Sequence, residues 1–311
     1  MISETLVDVR GVSKRFDRHS RILNNVSFSL RRGEMVALIG ASGSGKSTLI
    51  RLLAGLVPTD RPETRAAGVI NLFGRAMQQN GRVAREAKDL RARIGVIFQQ
   101  FNLVPRLAVL TNVCLGFLGR MPRLRGTFGH FTSDEKRCAM AALHRVGIAE
   151  QALKRGSQLS GGQQQRAAIA RTLVQGAELL IADEPIASLD PGSARRVMDI
   201  LSDMNRHDGI TVLVSLHQVD YAISYCPRTI ALKAGEVVYD GPSCELTPEM
   251  LCDIYGAEQS ELFPDMEIGA VAVVRSATDI SRRSPNEALH PPRIRTLPIL
   301  LQKSVETGLR P

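Results

Sequence analysis

One loop constrains the fold of this 311-residue chain more than any other feature. The apolar run MVALI at 35–39 precedes it, and the helix-forming run KSTLIRLLAGL follows at 46–56. A strand, a glycine-rich loop and a helix in this order direct backbone N–H groups at phosphate oxygens. The loop thus predicts an α/β fold with a buried parallel strand and a phosphate site. Its residues fit the pattern G-x-x-x-x-G-K-[ST] and are Gly40, Ala41, Ser42, Gly43, Ser44, Gly45, Lys46 and Ser47, with Thr48 following.

A second glycine-rich turn opens another predicted helix, QQQRAAIARTLV. Ser160 is a good N-cap residue, and the two glycines after it leave the first helical amides uncovered. This turn predicts a second anion-binding helix terminus, but one without a lysine. The residues alone support two such termini in one chain. The turn consists of Leu159, Ser160, Gly161, Gly162 and Gln163.

A pair of acids follows the apolar run LLIA at 179–182. Asp183 and Glu184 are therefore expected at the carboxyl edge of a parallel sheet, where ligands of such folds bind. Paired carboxylates at that edge suit a metal-dependent hydrolase, whereas the simpler alternative is a strand that ends in solvated acids.

Two more apolar runs lead to single polar residues. IGVIF at 94–98 is followed by Gln99, and TVLVS at 211–215 is followed by Leu216 and His217. Taken alone, a glutamine or histidine after a strand is more often structural than catalytic. Their order along the chain, relative to the other motifs, favours a functional reading.

These motifs together resemble the nucleotide-binding subunit of an ATP-binding cassette (ABC) transporter. The resemblance implies a P-loop core with a mainly parallel sheet, an N-terminal antiparallel β subdomain and an inserted helical subdomain. It implies ATP and Mg²⁺ as cofactors. Ser47, Gln99 and Asp183 would then surround Mg²⁺, while Glu184 serves as general base with His217 and Gln99 beside it.

The resemblance also implies that a second copy of the chain completes each ATP site. In the family, the second turn of one copy closes on ATP held by the P-loop of the other, in a head-to-tail dimer. Asp190 would contribute from the stretch Ala-Ser-Leu-Asp at 187–190, which differs mildly from the usual Ser-Ala-Leu-Asp. Phe16 matches the aromatic residue that stacks on adenine, with a core phenylalanine as the alternative. The residues assigned to the partner copy's ATP are Ser160, Gly161, Gly162 and Gln163.

Part of the match is narrower and is similar to the phosphonate importer ATPases. It covers residues 91–104, 118–131, 186–191 and 217–221. It implies import of phosphonates, or of phosphate esters or phosphite, with transmembrane permease subunits as direct partners and a periplasmic phosphonate-binding protein as an indirect one. The chain would act at the cytoplasmic face of the inner membrane. Alternatives are a transporter for amino acids, other oxyanions or lipoprotein release, and a non-transport ABC ATPase.

Motif spacing predicts the domain organisation. Residues 5–262 are expected to form the ATPase domain, with the helical subdomain inserted at about 102–165. Residues 263–311 are interrupted by Pro285, Pro291, Pro292 and Pro298 and contain unpartnered apolar pieces, which favour a largely disordered extension over a small regulatory element.

The composition of the chain agrees with a protein that binds at the surface of a membrane. The formal charge is +9, aromatic residues make up 4% of the chain, and no nucleic-acid-binding motif is found, so nucleic acid is not expected as a partner. Docking under an anionic membrane surface explains the charge, with simple solubility as the alternative.

No apolar run reaches the roughly 20 residues that span a bilayer, and the N-terminus lacks a signal-peptide core. The five cysteines have no metal-ligand spacing and are expected to be reduced thiols.

Overall fold

The structure is a computed structural model that describes residues 4–16, 20–61, 68–99 and 103–256. The extension predicted for residues 263–311 lies outside these described residues. The strands are β1 Thr5–Arg15, β2 Arg21–Arg31, β3 Met35–Ile39, β4 Val69–Leu72, β5 Arg75–Gln79, β6 Arg82–Val83, β7 Ile94–Ile97, β8 Leu179–Asp183, β9 Thr211–Ser215, β10 Arg228–Lys233 and β11 Glu236–Pro242. The α-helices are α1 Lys46–Leu53, α2 Ala87–Ala92, α3 Val109–Cys114, α4 Arg123–Thr127, α5 Ser133–Arg145, α6 Gly161–Gln175, α7 Pro191–Asp208, α8 Val219–Tyr225 and α9 Pro248–Tyr255.

A six-stranded sheet forms the centre of the fold, in the order β11-β10-β3-β9-β8-β7. Strands β10, β3, β9, β8 and β7 run parallel, and β11 closes the edge antiparallel to β10. Every residue of β3, β8 and β9 is buried. Continuous apolar runs are typical of strands covered on both faces, which is why the sequence predicted them. The expected fold, a P-loop core with a mainly parallel sheet, is confirmed.

The two faces of this sheet belong to two apolar cores. Val36 and Leu38 of β3 pack into a core shared with β1, β2 and α1. Ala37 and Ile39 point to the opposite face and join a core built with α5, α6 and α7. Because side chains alternate along a strand, one short strand supplies both cores. The P-loop therefore leaves a strand that is fixed from both sides.

The N-terminal strands form a separate antiparallel sheet in the order β2-β1-β4-β5-β6. Strand β1 pairs with β2 from Thr5 to Arg15 and with β4 on its other edge. The antiparallel sheet expected for residues 5–30 is confirmed. It covers the core-sheet face that carries Val36, so it helps to hold β3 in place.

Helices α3, α5 and α6 pack against one another in the segment where a helical subdomain was expected. Thr132 begins α5 with a reciprocal capping box: its hydroxyl accepts from the N–H of Glu135, whose carboxylate accepts from the N–H of Thr132. The boundaries 5–262 and 102–165 stay predictions, because residues 100–102 and 257–311 are not described.

The first helix is shorter than the run 46–56 predicted. Helix α1 ends at Leu53, and Gly55 adopts φ 66°. The N–H of Gly55 bonds the carbonyl of Leu52, and the N–H of Leu56 bonds the carbonyl of Arg51. This pair of bonds is a Schellman motif, which ends a helix at a left-handed glycine. Within the described ranges, no helix combines the length and apolar character needed to cross a membrane.

Candidate functional site

The P-loop leaves β3 at a position that only glycine fits. Gly40 has φ 145°, and a Cβ there would lie 2.2 Å from the carbonyl oxygen of Leu232. Gly45 has φ 106°, and its Cβ would come within 2.6 Å of the side chain of Leu23. Backbone shape and close packing therefore both require these glycines. They turn the chain from β3 into α1 over the predicted loop.

Lys46, the first residue of α1, is nearly buried, with 4% of its surface exposed. Its Nζ donates hydrogen bonds to the carbonyl oxygens of Gly40 at 2.6 Å and Ala41 at 3.1 Å. Burial lowers the pKa of Lys46, and the carboxylates of Glu184 and Asp183 oppose that shift. The ammonium group thus lies inside the loop, a position suited to pairing with an anion.

Asp183 ends β8 and is held by two hydroxyl groups. Its Oδ1 accepts from Ser47 Oγ at 3.2 Å and from Ser215 Oγ at 3.0 Å. Burial raises the pKa of Asp183, the two hydrogen bonds counteract this, and the charge of Glu184 raises it further. The structure brings together Ser47 and Asp183, two of the residues expected around a metal ion.

Glu184 and His217 meet directly at the carboxyl edge of the sheet. Glu184 Oε1 lies 2.6 Å from His217 Nε2. The backbone of Glu184 is left-handed, with φ 50°, and its N–H donates to Ser215 Oγ at 2.8 Å. A non-glycine residue in this region stores backbone strain that its surroundings must hold. The predicted acid and histidine are therefore adjacent.

A cleft of about 240 Å³ opens over the P-loop. Glu184 forms part of its wall, so the acid faces the same space as the loop. Within the described residues, the second glycine-rich turn does not line this cleft. The lining residues are Ile22, Ser42, Gly43, Ser44, Gly45, Lys46, Ser47, Thr48 and Glu184.

Gln99 and Phe16 are both exposed. Gln99 follows β7, the edge strand that pairs with β8, and residues 100–102 after it are not described. Phe16 follows β1 with 58% of its surface exposed, and Lys14 Nζ lies 5.4 Å from the centre of its ring. This exposure excludes the alternative of a core phenylalanine. The ring is accessible to a planar ligand, and stacking on adenine stays a prediction.

The second glycine-rich turn begins α6 with a capping box. Ser160 Oγ accepts from the N–H of Gln163 at 3.4 Å, and the side chain of Gln163 accepts from the N–H of Ser160 at 3.0 Å. The predicted N-cap is therefore confirmed. A Cβ at Gly162 would lie 2.7 Å from Ser193 Oγ of α7, so this glycine is needed for helix packing. Asp190 caps α7 through the N–H of Ser193 at 2.9 Å.

Two site residues were missed by sequence reasoning. Ser215 was assigned only to a strand, yet it bonds both Asp183 and Glu184. A serine at the last position of the strand before His217 is a signal that could have found it. Ser193 was not singled out, although it joins the second turn to the helix capped by Asp190.

Comparison with known proteins agrees with this geometry. The chain matches the ABC transporter family model over residues 23–187. It is 62% identical over 245 residues to the Phosphonates import ATP-binding protein PhnC of Stutzerimonas stutzeri, which covers 78% of this chain and 88% of that protein. It is 54% identical over 263 residues to the protein of the same name from Caulobacter vibrioides, covering 85% of this chain and 98% of that protein.

A solved structure extends the comparison. The chain is similar to the ATP-binding cassette MJ0796 in a dimeric post-hydrolysis state bound to ADP and Pi, with a TM-score of 0.63 and 31% identity over 76% of this chain and 99% of that one. Fold and loop together define a P-loop nucleotide-binding cassette. The chain belongs to the ABC transporter family.

Proposed function

We propose that this chain hydrolyses ATP to energise the import of phosphonates through membrane permease subunits. The observation that carries the ATPase assignment is the meeting of Lys46, Ser47, Asp183, Glu184 and His217 at one sheet edge. The cargo is supported by the 62% identity to a phosphonate import ATP-binding protein.

The P-loop has the features of a phosphate cradle. Ser44 Oγ is buried and, within the described part of the chain, has no hydrogen-bond partner. Lys46 directs its ammonium group at loop carbonyls, which are weaker partners than a phosphate oxygen. We assign the β- and γ-phosphates of ATP to this loop, where the backbone N–H groups at the start of α1 add positive potential. The ring of Phe16 is assigned to the adenine.

The oxygen atoms of Ser47 and Asp183 suit Mg²⁺, which prefers hard oxygen ligands and keeps several waters. Asp183 is held in place by two hydroxyls, and its partner Ser47 lies 3.2 Å away. Gln99 follows the strand next to β8, so its amide oxygen can complete the set. When bound, Mg²⁺ neutralises charge on the phosphates.

Glu184 is proposed as the general base. Its Oε1 faces His217 Nε2 at 2.6 Å, which orients the carboxylate and leaves Oε2 to take a proton from the attacking water. A neutral imidazole has one N–H, so His217, which is 39% exposed at its side chain, would exchange its bond to Glu184 for one to a γ-phosphate oxygen when nucleotide is bound. Catalysis of phosphoryl transfer rests mainly on such positioning and on charge stabilisation.

A second copy of the chain completes the site in this proposal. The second turn does not line the P-loop cleft, and its cap serine is exposed. Ser160 Oγ accepts the capping bond, so its O–H proton can still be donated to a phosphate oxygen. The dimeric state of the ADP-bound relative supports the pairing of two copies, and we propose that they pair head to tail. In the partner copy, Gly161, Gly162, Gln163 and Asp190 would lie next to the same nucleotide.

A second cleft is proposed to receive the permease. It measures about 480 Å³ and lies between α2, the 3₁₀ helix Leu115–Gly119 and α6. Its wall carries Lys88, Asp89, Arg91 and Arg171, beside the small residues Gly116 and Gly119. Gly116 is packed against α6, where a Cβ would lie 2.3 Å from the carbonyl oxygen of Arg171, and the charged wall of the cleft suits a polar cytoplasmic segment. Docking there would hold the chain at the cytoplasmic face of the inner membrane as a peripheral subunit.

The experiment that tests the function is transport reconstituted with the cognate permease subunits and a periplasmic phosphonate-binding protein. Vesicles loaded with MgATP would be offered a panel of phosphonates, phosphate esters, phosphite, phosphate, sulfate and amino acids, with Glu184→Gln as the matched inactive control. Uptake of phosphonates that depends on ATP and is lost in the control is expected. Uptake of amino acids or sulfate instead would contradict the cargo but leave the ATPase assignment standing.

A further inference from the structure

Ser215 lies between the two acids of the site. It ends β9, is fully buried, and pairs in register with Asp183 at the end of β8. Its Oγ accepts from the N–H of Glu184 at 2.8 Å and donates to Asp183 Oδ1 at 3.0 Å. The direction of both bonds is fixed, because an N–H can only donate and a carboxylate can only accept. One hydroxyl thus links the backbone of one acid to the side chain of the other.

The bond to Glu184 holds an unusual backbone. With φ 50°, Glu184 leaves the extended conformation of β8 immediately after Asp183. Left-handed backbone at a non-glycine residue persists only where neighbours hold it. The N–H of Glu184 points at Ser215, and this turn directs the carboxylate to His217. Without the hydroxyl, a partly buried N–H would lose its partner and the turn would lose its anchor.

The bond from Ser215 to Asp183 fixes the orientation of the Asp183 carboxylate. Asp183 Oδ1 accepts from both Ser215 and Ser47, so the carboxylate plane is fixed from the strand side and from α1. Because α1 carries Ser47 right after Lys46, the carboxylate of Asp183 connects Ser215 to the P-loop helix. Groups that hold ligating or catalytic carboxylates in this way commonly change activity by about 10- to 100-fold when removed.

We propose that Ser215 is a positioning residue for ATP hydrolysis, which holds the backbone turn of Glu184 and the carboxylate of Asp183 in one arrangement. The inference rests on the proposed ATPase function. It assigns Ser215 no contact with ATP, so its loss should slow hydrolysis and leave ATP binding nearly unchanged. The loss of a residue that only supported the fold would lower stability without lowering kcat selectively over ATP binding.

The test is steady-state ATPase kinetics of the full-length chain as Ser215→Ala. We expect kcat to fall about 10- to 100-fold, while the KM for ATP changes by less than about threefold. The Mg²⁺ concentration for half-maximal rate should rise, because Asp183 is no longer fixed. Ser215→Thr keeps the hydroxyl and should recover most of kcat.

Thr229→Val is the matched control. Thr229 is fully buried in the same sheet, and its hydroxyl bonds Ser243 at 2.7 Å, away from the two acids. The Tm of Thr229→Val should fall by about as much as the Tm of Ser215→Ala falls, but the kcat of Thr229→Val should be unchanged. Where Ser215→Ala does not fold, Ser215→Cys carries the same test, since it keeps the volume but is a weak donor.

Three outcomes would overturn the inference: kcat of the alanine or cysteine variant within twofold of wild type, equal losses in the threonine variant, or a large rise in KM with kcat unchanged. A wild-type chain without any ATPase activity would instead contradict the proposed function itself. The two failures are therefore distinguishable.

Discussion

The two glycine-rich turns both precede helices, but their glycines meet different physical requirements. In the P-loop, Gly40 and Gly45 have positive φ and approach neighbouring chain so closely that no side chain fits. In the second turn, Gly162 is a helical residue, and it is glycine because Ser193 of α7 lies against it. The first turn shapes a cradle, whereas the second makes an exposed helix terminus.

Burial separates the turns as well. Lys46 is 4% exposed and shares its cleft with Glu184. Ser160 is exposed, and its turn lines no part of that cleft among the described residues. The buried lysine faces the two acids within one chain, whereas the exposed helix terminus is open to a ligand carried by another molecule. This difference is the basis for proposing that the first turn is a nucleotide cradle and the second a half-site for another copy.

The largest effect on ATPase activity is expected at Glu184, the acid that lines the P-loop cleft. Glu184→Gln should lower kcat by at least about 100-fold, because the amide cannot take a proton from water. ATP should still bind, so the variant should form an ATP-dependent dimer in size-exclusion chromatography. Glu150→Gln, an exposed acid outside the site, is the control and should behave as wild type. A Glu184→Gln variant that hydrolyses ATP at the wild-type rate would remove the chemical distinction between the turns.

A smaller effect is expected at the second turn, where Ser160→Ala should lower ATPase activity by about tenfold or more. Thr132→Ala is a closely matched control, because Thr132 begins α5 with the same capping box. Each variant should lose about 1 kcal/mol of unfolding free energy, the usual cost of an N-cap. Urea unfolding and ATPase assays would check both. Equal ATPase losses in the two variants would show that Ser160 acts only as a cap.

Phe16→Ala should raise the KM for ATP by about three- to tenfold with kcat unchanged, since an aromatic stack contributes about 0.5–1.5 kcal/mol. Phe128→Ala removes another exposed phenylalanine and should leave both constants unchanged. Steady-state kinetics would measure the split. An unchanged KM would argue against base stacking by Phe16. An equal rise in KM for ATP, GTP and inorganic triphosphate would argue against it as well, because triphosphate has no base.

The smallest effect is a pH-dependent shift in stability. Because burial raises the folded-state pKa of Asp183, the folded chain binds this proton more tightly than the unfolded chain. The stability from the protonated form is full below the unfolded pKa of about 3.9 and is lost as pH rises through the raised folded value. At neutral pH the charge therefore costs stability, so Asp183→Asn should raise the Tm of the nucleotide-free chain.

Thermal unfolding of wild type and Asp183→Asn at several pH values would check this. The gain should shrink as the pH falls toward the unfolded pKa, because wild-type Asp183 is then protonated too. An equal gain at every pH, or a loss at neutral pH, would contradict the assigned cause.

Much of the site could be predicted from the sequence because its signals are local. The P-loop, the strand before it and the acids at the end of β8 each occupy a few consecutive residues, and the buried parallel strands have continuous apolar runs. Local capping rules also identified Ser160 as the start of α6.

Other features depend on contacts between distant segments, so the sequence could not show them. The bond between Ser215 and Asp183 needs the pairing register of β8 with β9, and Gly162 meets Ser193 only after α6 packs on α7. The left-handed backbone of Glu184 has no local signal, because glutamate rarely adopts it.

The central claim is that the P-loop of one copy and the second turn of another form one ATP site. Mixing two inactive variants tests it most directly: Lys46→Ala, with a disabled cradle, and Ser160→Arg, with a disabled half-site. In a head-to-tail pair, a mixed dimer contains one site in which both turns are intact. We predict that each variant alone is inactive and that a 1:1 mixture recovers up to about a quarter of wild-type activity, since half of the dimers are mixed and each has one working site. A mixture no more active than the sum of its parts, from variants that still exchange partners, would contradict the claim.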